Sequence, residues 1–140
     1  MMKSFTFAII AMMLWGIAPI FGKLGLTQLE PLAALTLRSL IITLLLLVFV
    51  TFGGHWSGIL SVGSQDLLFI GLEGLCSALL GHLAYYYALK YGDVGKVSPV
   101  VAAFPLVALI LAIVVLGEKL TMWKMAGAAT IVVGIIMLKY

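Results

Sequence analysis

The residues of this sequence that could do chemistry in an apolar setting lie together in residues 67–90, LLFIGLEGLCSALLGHLAYYYALK. This run is long enough to cross a bilayer. It nevertheless contains a carboxylate, Glu73, an imidazole, His82, and three consecutive tyrosines at 85–87. An ionisable side chain at bilayer depth costs about 2.5 kcal/mol or more and marks ion, proton or substrate pathways. The run therefore predicts a functional membrane helix and not a plain anchor.

Glu73 is the first candidate for proton or cation exchange, because carboxylates at membrane depth form proton relays and ion sites. On a regular α-helix, Glu73, Ser77 and Tyr87 share one face. That face is a candidate binding surface for a substrate or an ion. A second interpretation stays open, in which Glu73 lies near the membrane interface and is hydrated through the glycine-rich loop before it.

His82 follows Glu73 by nine residues. On a regular α-helix this spacing is half a turn, and the two residues lie about 13 Å apart along the axis. We expect no direct contact between them, and a link would need water or groups from other helices. His82 is either a packed, hydrogen-bonded histidine or a cavity residue. We expect Tyr85 and Tyr86 to belong to the aromatic belt at the membrane interface.

The composition predicts an all-α integral membrane protein. Of 140 residues, 64% are hydrophobic and only 9% are charged, whereas about a quarter of the residues of a soluble domain are charged. The net charge of +3 comes from seven scattered lysines and one arginine against five acidic residues, so we expect no nucleic-acid partner. The sequence contains no recognisable catalytic nucleophile, metal cluster or phosphate loop, and we expect no enzyme activity, metal or cofactor.

The hydrophobic pattern predicts one transmembrane domain over residues 1–140, with helices at approximately 5–26, 31–52, 67–90, 97–116 and 123–138. Pro19 and Pro105 each remove a backbone donor, and we expect both to break or kink their helices. Interrupted helices at membrane depth are a recurring way to build a substrate site. Trp15 and Phe104, near these prolines, offer aromatic walls for a metabolite or a lipophilic cation.

The distribution of positive charge indicates a weakly specified orientation. With five spans, Lys3, Lys119 and Lys124 lie on one side of the membrane, whereas Lys23, Lys90, Lys96 and Lys139 lie on the other. A bias this weak permits insertion in both orientations. Arg38, about 10 Å into the second helix, either extends to the interface or takes part in binding or ion pairing.

Short motifs along the chain carry a resemblance to a known family. They are residues 15–23 (WGIAPIFGK), Arg38, residues 85–90 (YYYALK) with Gly92 and Asp93, residues 97–99 (VSP), Phe104 with Pro105, residues 116–121 (LGEKLT), and Gly127 with Gly134. In order and spacing the chain resembles an EamA domain of the drug/metabolite transporter superfamily, specifically its small five-helix bacterial and archaeal members. The resemblance covers nearly the whole chain.

The resemblance implies a secondary transporter unit equal to one half of the ten-helix members, whose halves are related by inverted topology. A single unit would then work as an antiparallel homodimer in a bacterial or archaeal inner membrane, in contact with membrane lipids. It would move a small-molecule substrate by alternating access to the two sides of the membrane. The family shares no universal catalytic residue, and Glu73 and His82 lie outside its motifs. A lipid-linked sugar carrier flippase and a non-transporting accessory subunit remain alternative interpretations.

An inverted second copy has one further consequence for the charged residues. Glu73 lies about 9 Å from one side of the membrane, and Arg38 lies about 10 Å from the other. Inversion would therefore bring Glu73 of one subunit to the depth of Arg38 in its partner. This predicts an intersubunit ion pair or a shared lining of the cavity.

Overall fold

The computed structural model describes residues 2–138, and every regular element among them is helical. Four helices are long and apolar enough to cross a membrane, and the apolar helix Met122–Met137 is shorter. The predicted class, an all-α membrane protein, is confirmed. Lys139, one of the charges used to judge orientation, lies outside the described residues. The described chain divides after Tyr91 into two compact units.

The first unit contains three long helical spans and one short connecting helix. Its elements are α1 (Met2–Gly25), α2 (Pro31–Gly53), α3 (Trp56–Leu60), α4 (Ser64–Glu73), a π-helical segment (Gly74–Gly81) and α5 (His82–Tyr91). The last three elements follow one another without a gap and form the third span, Ser64–Tyr91.

The prolines of α1 and α2 have different effects on their helices. Pro31 is the first residue of α2, where its fixed backbone dihedral suits a helix start and its missing N–H has no partner to lose. Pro19 lies inside α1, which continues past it to Gly25. The expected interruption of the first helix therefore does not occur at Pro19. The side chain is buried, so packing supports the helix where one backbone bond is missing.

The buried core of the first unit lies where α1 leads into α2 and where α5 ends. Leu26, Pro31 and Leu35 are buried there, and Leu89 of α5 is fully enclosed. α5 contacts both α1 and α2. A Cβ atom at Gly22 of α1 would be in van der Waals contact with Leu89 Cδ1, at 3.4 Å, so little space remains there for a larger side chain.

Two lysines form hydrogen bonds at this end of the unit, where α5 ends. Lys23 Nζ of α1 donates to the carbonyl oxygen of Leu89 at 2.6 Å. Lys90 Nζ donates to Glu30 Oε1 at 2.8 Å and to the carbonyl oxygen of Leu29 at 3.3 Å. Both ammonium groups lie near the C-terminal end of α5, where the helix dipole favours positive charge. These bonds join the α1–α2 connection to the end of the third span.

The second unit contains an interrupted span and a final helix. Its elements are α6 (Val94–Val101), α7 (Phe104–Leu116) and α8 (Met122–Met137). The chain leaves α-helical geometry at Ala102 and Ala103, where Ala103 N–H donates to the carbonyl of Val100 at 3.2 Å. Pro105 is then the second residue of α7, a position where no intrahelical donor is required.

Turns with defined hydrogen bonds end α7 and begin α8. Gly117 adopts a left-handed conformation with φ 66°, and its N–H donates to the carbonyl of Ala112. Thr121 caps α8 by accepting a hydrogen bond from the Lys124 N–H at 3.2 Å. Lys124 Nζ also pairs with Glu118 Oε2 at 2.8 Å. The 116–121 motif is therefore a helix stop followed by a helix start.

Candidate functional site

The third span changes its helical geometry next to Glu73. α4 ends at Glu73, the π segment occupies Gly74–Gly81, and α5 begins at His82. In a π-helix the hydrogen bonds run between residues five apart, and short π segments inside α-helices are frequent at functional sites. Here the backbone N–H of His82 is shared between the carbonyls of Leu79 and Ser77. The widened turn thus lies between the two ionisable residues of this span.

Gly81 is the residue that makes the end of the π segment sterically possible. A Cβ atom at this position would lie 2.9 Å from the carbonyl oxygen of Cys76, which is closer than a methyl group can approach an oxygen without a shift. A Cβ atom at Gly74, the first residue of the segment, would meet nothing within 4 Å. Of these two glycines, only Gly81 is required by the local backbone.

A hydrogen-bonded chain runs along the third span from Glu73 to His82. Ser77 Oγ donates to Glu73 Oε1 at 2.6 Å, a length typical of a hydroxyl bonded to a carboxylate. His82 Nδ1 lies 2.8 Å from the carbonyl oxygen of Ser77. Because a carbonyl oxygen only accepts, Nδ1 carries the proton in this bond. Ser77 therefore contacts Glu73 through its side chain and His82 through its backbone.

As expected, no direct contact joins Glu73 to His82 in the described residues, but Ser77 of the same span bonds to both. The link between Glu73 and His82 was expected to need water or groups from other helices, because regular α-helical geometry separates them by half a turn. The π segment turns less per residue than an α-helix, which changes the angular position of His82. The connecting group is Ser77, on the same span.

The tyrosines divide into two groups around His82. The rings of Tyr85 and Tyr86 each meet the His82 ring edge-on, with centroids 6.5 Å apart. Tyr87 instead stacks on Tyr91 at 6.4 Å. Tyr87 was predicted to share the face of Glu73, but its ring contact is with the end of α5. His82 is half-buried, whereas Glu73 and Ser77 are exposed on the surface of the chain.

The other predicted site residues lie apart from this chain of hydrogen bonds. Arg38 is half-buried on α2, and no ion pair joins it to Glu73 within residues 2–138. Trp15 on α1 is 68% exposed, and Phe104 at the start of α7 is 58% exposed. These positions leave both aromatic rings available for a ligand or for another helix.

An open groove of about 240 Å³ lies along α2, with Leu79 of the π segment also in its lining. Its lining is mostly leucine, with hydroxyl groups from α2; the residues are Leu32, Leu35, Thr36, Ser39, Leu40, Thr43 and Leu79. Sequence reasoning missed this groove. The available signal was the spacing of Thr36, Ser39 and Thr43, which puts three hydroxyls on one face of a mostly apolar helix.

Comparison with known proteins decides the family. Residues 2–140 match the model of the EamA-like transporter family. The chain belongs to this family. A similar protein is an uncharacterized transporter in the cobO 3′ region of a Sinorhizobium species, which is 30% identical over 119 residues. The alignment covers 85% of this chain and 84% of that relative. No solved structure gives a significant match.

Membership of the EamA-like family confirms the resemblance that the sequence motifs indicated, and it makes this protein a multi-pass membrane transporter. Several motif residues have structural contacts of the kind described above: Gly22 packs on Leu89, Pro105 begins α7, and Glu118 pairs with Lys124. Glu73, Ser77 and His82 lie outside the EamA motifs.

Proposed function

We propose that this EamA-family protein is a secondary active transporter that works by alternating access and is coupled to protons or another cation through Glu73. The observation that carries the proposal is the hydrogen-bonded chain Glu73–Ser77–His82 at the π segment of the third span. In a transporter, an ionisable residue inside a spanning helix is a functional-site hypothesis by default. A short π segment beside it strengthens that hypothesis.

The chemistry of Ser77 suits a carboxyl group that changes its protonation state. A serine hydroxyl has one donor and two acceptor positions. It can donate to the carboxylate, as it does at 2.6 Å in this structure, and by rotation it can accept from the protonated acid. Glu73 therefore keeps a partner both when it holds a proton and when it binds a cation. This property favours exchange between proton and substrate at one site.

The working unit that we propose is an antiparallel homodimer in a bacterial or archaeal inner membrane. The weak bias of positive charge permits both orientations, and an inverted copy brings Glu73 to the depth of Arg38. The relative from Sinorhizobium has a similar length, because the same alignment covers a similar share of both chains. A second copy would supply the other half of the transport cavity of the proposed dimer.

The substrate class that we propose is a small metabolite or a lipophilic, cationic compound. A carboxylate attracts positive charge, and aromatic faces attract cations with about 0.5–2 kcal/mol or more. Trp15 and Phe104 are exposed aromatic rings, each on a helix that contains a proline. Each ring favours a compound that is apolar or positively charged, and Glu73 favours one that is positively charged.

The proposal is tested with the purified full chain in proteoliposomes. A proton gradient is imposed, and accumulation from a mixture of metabolites and lipophilic cations, including tetraphenylphosphonium, is measured by mass spectrometry. We expect gradient-dependent accumulation of at least one compound over empty liposomes. Glu73→Gln should abolish it, because the amide cannot exchange a proton. Asp66→Asn, which changes a carboxylate in the first turn of the same span, should retain it.

Other outcomes would contradict the proposal. Full gradient-driven accumulation by Glu73→Gln would refute the coupling role of this residue. Movement of a fluorescent lipid-linked sugar between leaflets, without accumulation of any solute, would assign a flippase. A purified homodimer that moves neither would favour an accessory subunit.

A further inference from the structure

We propose that Ser77 and His82 are positioning residues for Glu73 and that Gly81 permits the π turn that holds them in place. The inference rests on the proposed coupling role of Glu73. It assigns a reason for the π segment, which neither the family motifs nor the coupling role supplies. Three features carry these roles: the carbonyl of Ser77, the hydroxyl of Ser77 and the space at Gly81.

The carbonyl oxygen of Ser77 accepts two donors from His82. One is the backbone N–H, which is shared between the Leu79 carbonyl and the Ser77 carbonyl five residues back. The other is ring Nδ1, at 2.8 Å. The two bonds fix the direction and the tautomer of the imidazole, because Nδ1 must carry the proton. In the neutral ring Nε2 is then an acceptor. The Tyr85 and Tyr86 rings, edge-on to the imidazole, hold its plane.

The same two bonds hold the backbone of Ser77, and so the position from which its hydroxyl reaches Glu73. Ser77 Oγ donates to Oε1 at 2.6 Å. In the described part of the chain, this is the hydrogen bond that the protein makes to the carboxylate. One oxygen of Glu73 is therefore held, and the other is presented to a proton or a cationic ligand. Holding a carboxylate in one orientation reduces the cost of ordering it when the ligand binds.

Gly81 controls whether this geometry can form. An added Cβ atom would lie 2.9 Å from the Cys76 carbonyl oxygen, within the π segment itself. Backbone cannot move aside as a flexible side chain can, so a methyl group at this site must shift the turn. A shift toward regular α-helical bonding would take the Ser77 carbonyl away from both donors of His82. The orientation of Glu73 thus depends on a glycine eight residues away.

The first test measures which ring nitrogen of His82 carries the proton. The full chain is placed in lipid nanodiscs with ¹⁵N-histidine and His55→Gln, which leaves His82 as the single histidine. At a pH above the ordinary titration range of histidine, we expect ¹⁵N NMR to show the proton on Nδ1. Gly81→Ala should lose this preference, whereas Gly74→Ala should keep it, because that site is open. A proton on Nε2 in the parent protein would overturn the proposal.

The second test measures how fast the carboxyl group of Glu73 reacts with a carbodiimide. Dicyclohexylcarbodiimide, an apolar carboxyl reagent, is added to the same nanodiscs, and modification of Glu73 is followed by mass spectrometry. Ser77→Ala removes the donor and should raise the rate about tenfold, the order expected for losing one hydrogen bond to a charged group. Ser77→Thr keeps the hydroxyl and should retain the parent rate. Equal rates in the Ala and Thr variants would refute a positioning role for Ser77.

Paired variants of His82 separate its two ring nitrogens. The amide nitrogen of asparagine occupies the place of Nδ1, and that of glutamine occupies the place of Nε2. We expect His82→Asn to keep the parent labelling rate and coupled uptake from the compound mixture. His82→Gln should raise the labelling rate, as Ser77→Ala does, and should lose coupled uptake. The opposite pattern would show that Nε2 is the active atom and would overturn the proposal.

The two proposals fail separately in these measurements. If Glu73→Gln abolishes coupled uptake while Ser77→Ala and His82→Gln behave as the parent protein, the positioning role is wrong and the coupling role stands. If Glu73→Gln retains full coupled uptake, the coupling role is wrong, and the positioning of Glu73 has no function in transport. Ser77→Ala and His82→Gln leave Gly81 unchanged, so the test does not depend on folding of the glycine variant.

Discussion

Glu73 and Ser77 form a pair whose chemistry is readable from their types, whereas the part played by His82 is not. A serine four residues after a glutamate lies on the same face in a regular helix, and the structure joins the two at 2.6 Å. His82 is linked to Ser77 only because the intervening turn is π-helical. The difference between the residues is one of backbone geometry and not of side-chain chemistry.

The space around a glycine is a second residue-scale property that the sequence does not contain. Gly74, Ala78 and Gly81 form a stripe of small residues, which favours helix packing. The structure gives Gly81 a local role instead, since an added Cβ atom would meet a carbonyl oxygen of its own span. The sequence shows where the small residues are. Only the path of the backbone shows that a glycine is required at Gly81 and is not required at Gly74.

At the same scale, Gly22 offers a test of the packing between α1 and α5. Gly22→Leu should lower the free energy of unfolding in detergent by about 1–3 kcal/mol, the usual cost of overpacking a filled site. The physical reason is that a Cβ atom there already lies 3.4 Å from Leu89, which is fully enclosed. Gly16→Leu is the matched control on the same helix, because no atom lies within 4 Å of that site. Equal loss of stability in both variants would contradict this packing.

At the scale of elements, the long apolar helices follow from composition and length, because a spanning helix needs about 20 apolar residues. The effect of a proline within them does not. Pro19 and Pro105 were given the same expected effect, yet α1 continues through Pro19, and the fourth span is interrupted before Pro105. The outcome depends on which neighbouring groups support the backbone, and a single sequence does not show those neighbours.

The interruption between α6 and α7 gives an element-scale prediction. Pro105→Ala restores a backbone N–H that can bond to the carbonyl of Val101, four residues earlier. We expect slower amide hydrogen exchange at residues 102–106 in nanodiscs and reduced gradient-driven uptake. Pro99→Ala, inside α6, is the control and should leave exchange at residues 102–106 unchanged. Exchange that stays equally fast in Pro105→Ala would show that the proline does not maintain the interruption.

For the whole molecule, family membership says more about the function than the geometry of the structure does. The match over residues 2–140 makes the chain a transporter, and the motifs that carry the resemblance were all visible in the sequence. Substrate, coupling and dimerisation are properties of a cavity and of a second copy, and a single sequence names neither. The proposed dimer follows from one unit, a weak charge bias and the matched depths of Glu73 and Arg38.

Exposed apolar side chains on the long helices agree with a chain that is covered by lipid or by a partner. Phe49 of α2 and Ile70 of α4 are each 70% exposed, and a bilayer accepts such side chains without cost. Lipid and a second subunit are equally apolar as neighbours. The orientation of the copies in the membrane therefore tests the dimer more directly than burial does.

If the transporter is an antiparallel homodimer, copies of one five-helix unit must insert in both orientations. This is tested by cysteine labelling in intact cells, with Cys76→Ser to remove the native thiol and a single cysteine introduced as Lys3→Cys or Lys139→Cys. A maleimide that does not cross the membrane is applied from outside. We predict partial labelling at both positions, because copies of each orientation coexist. Complete labelling at one position and none at the other would contradict the antiparallel homodimer.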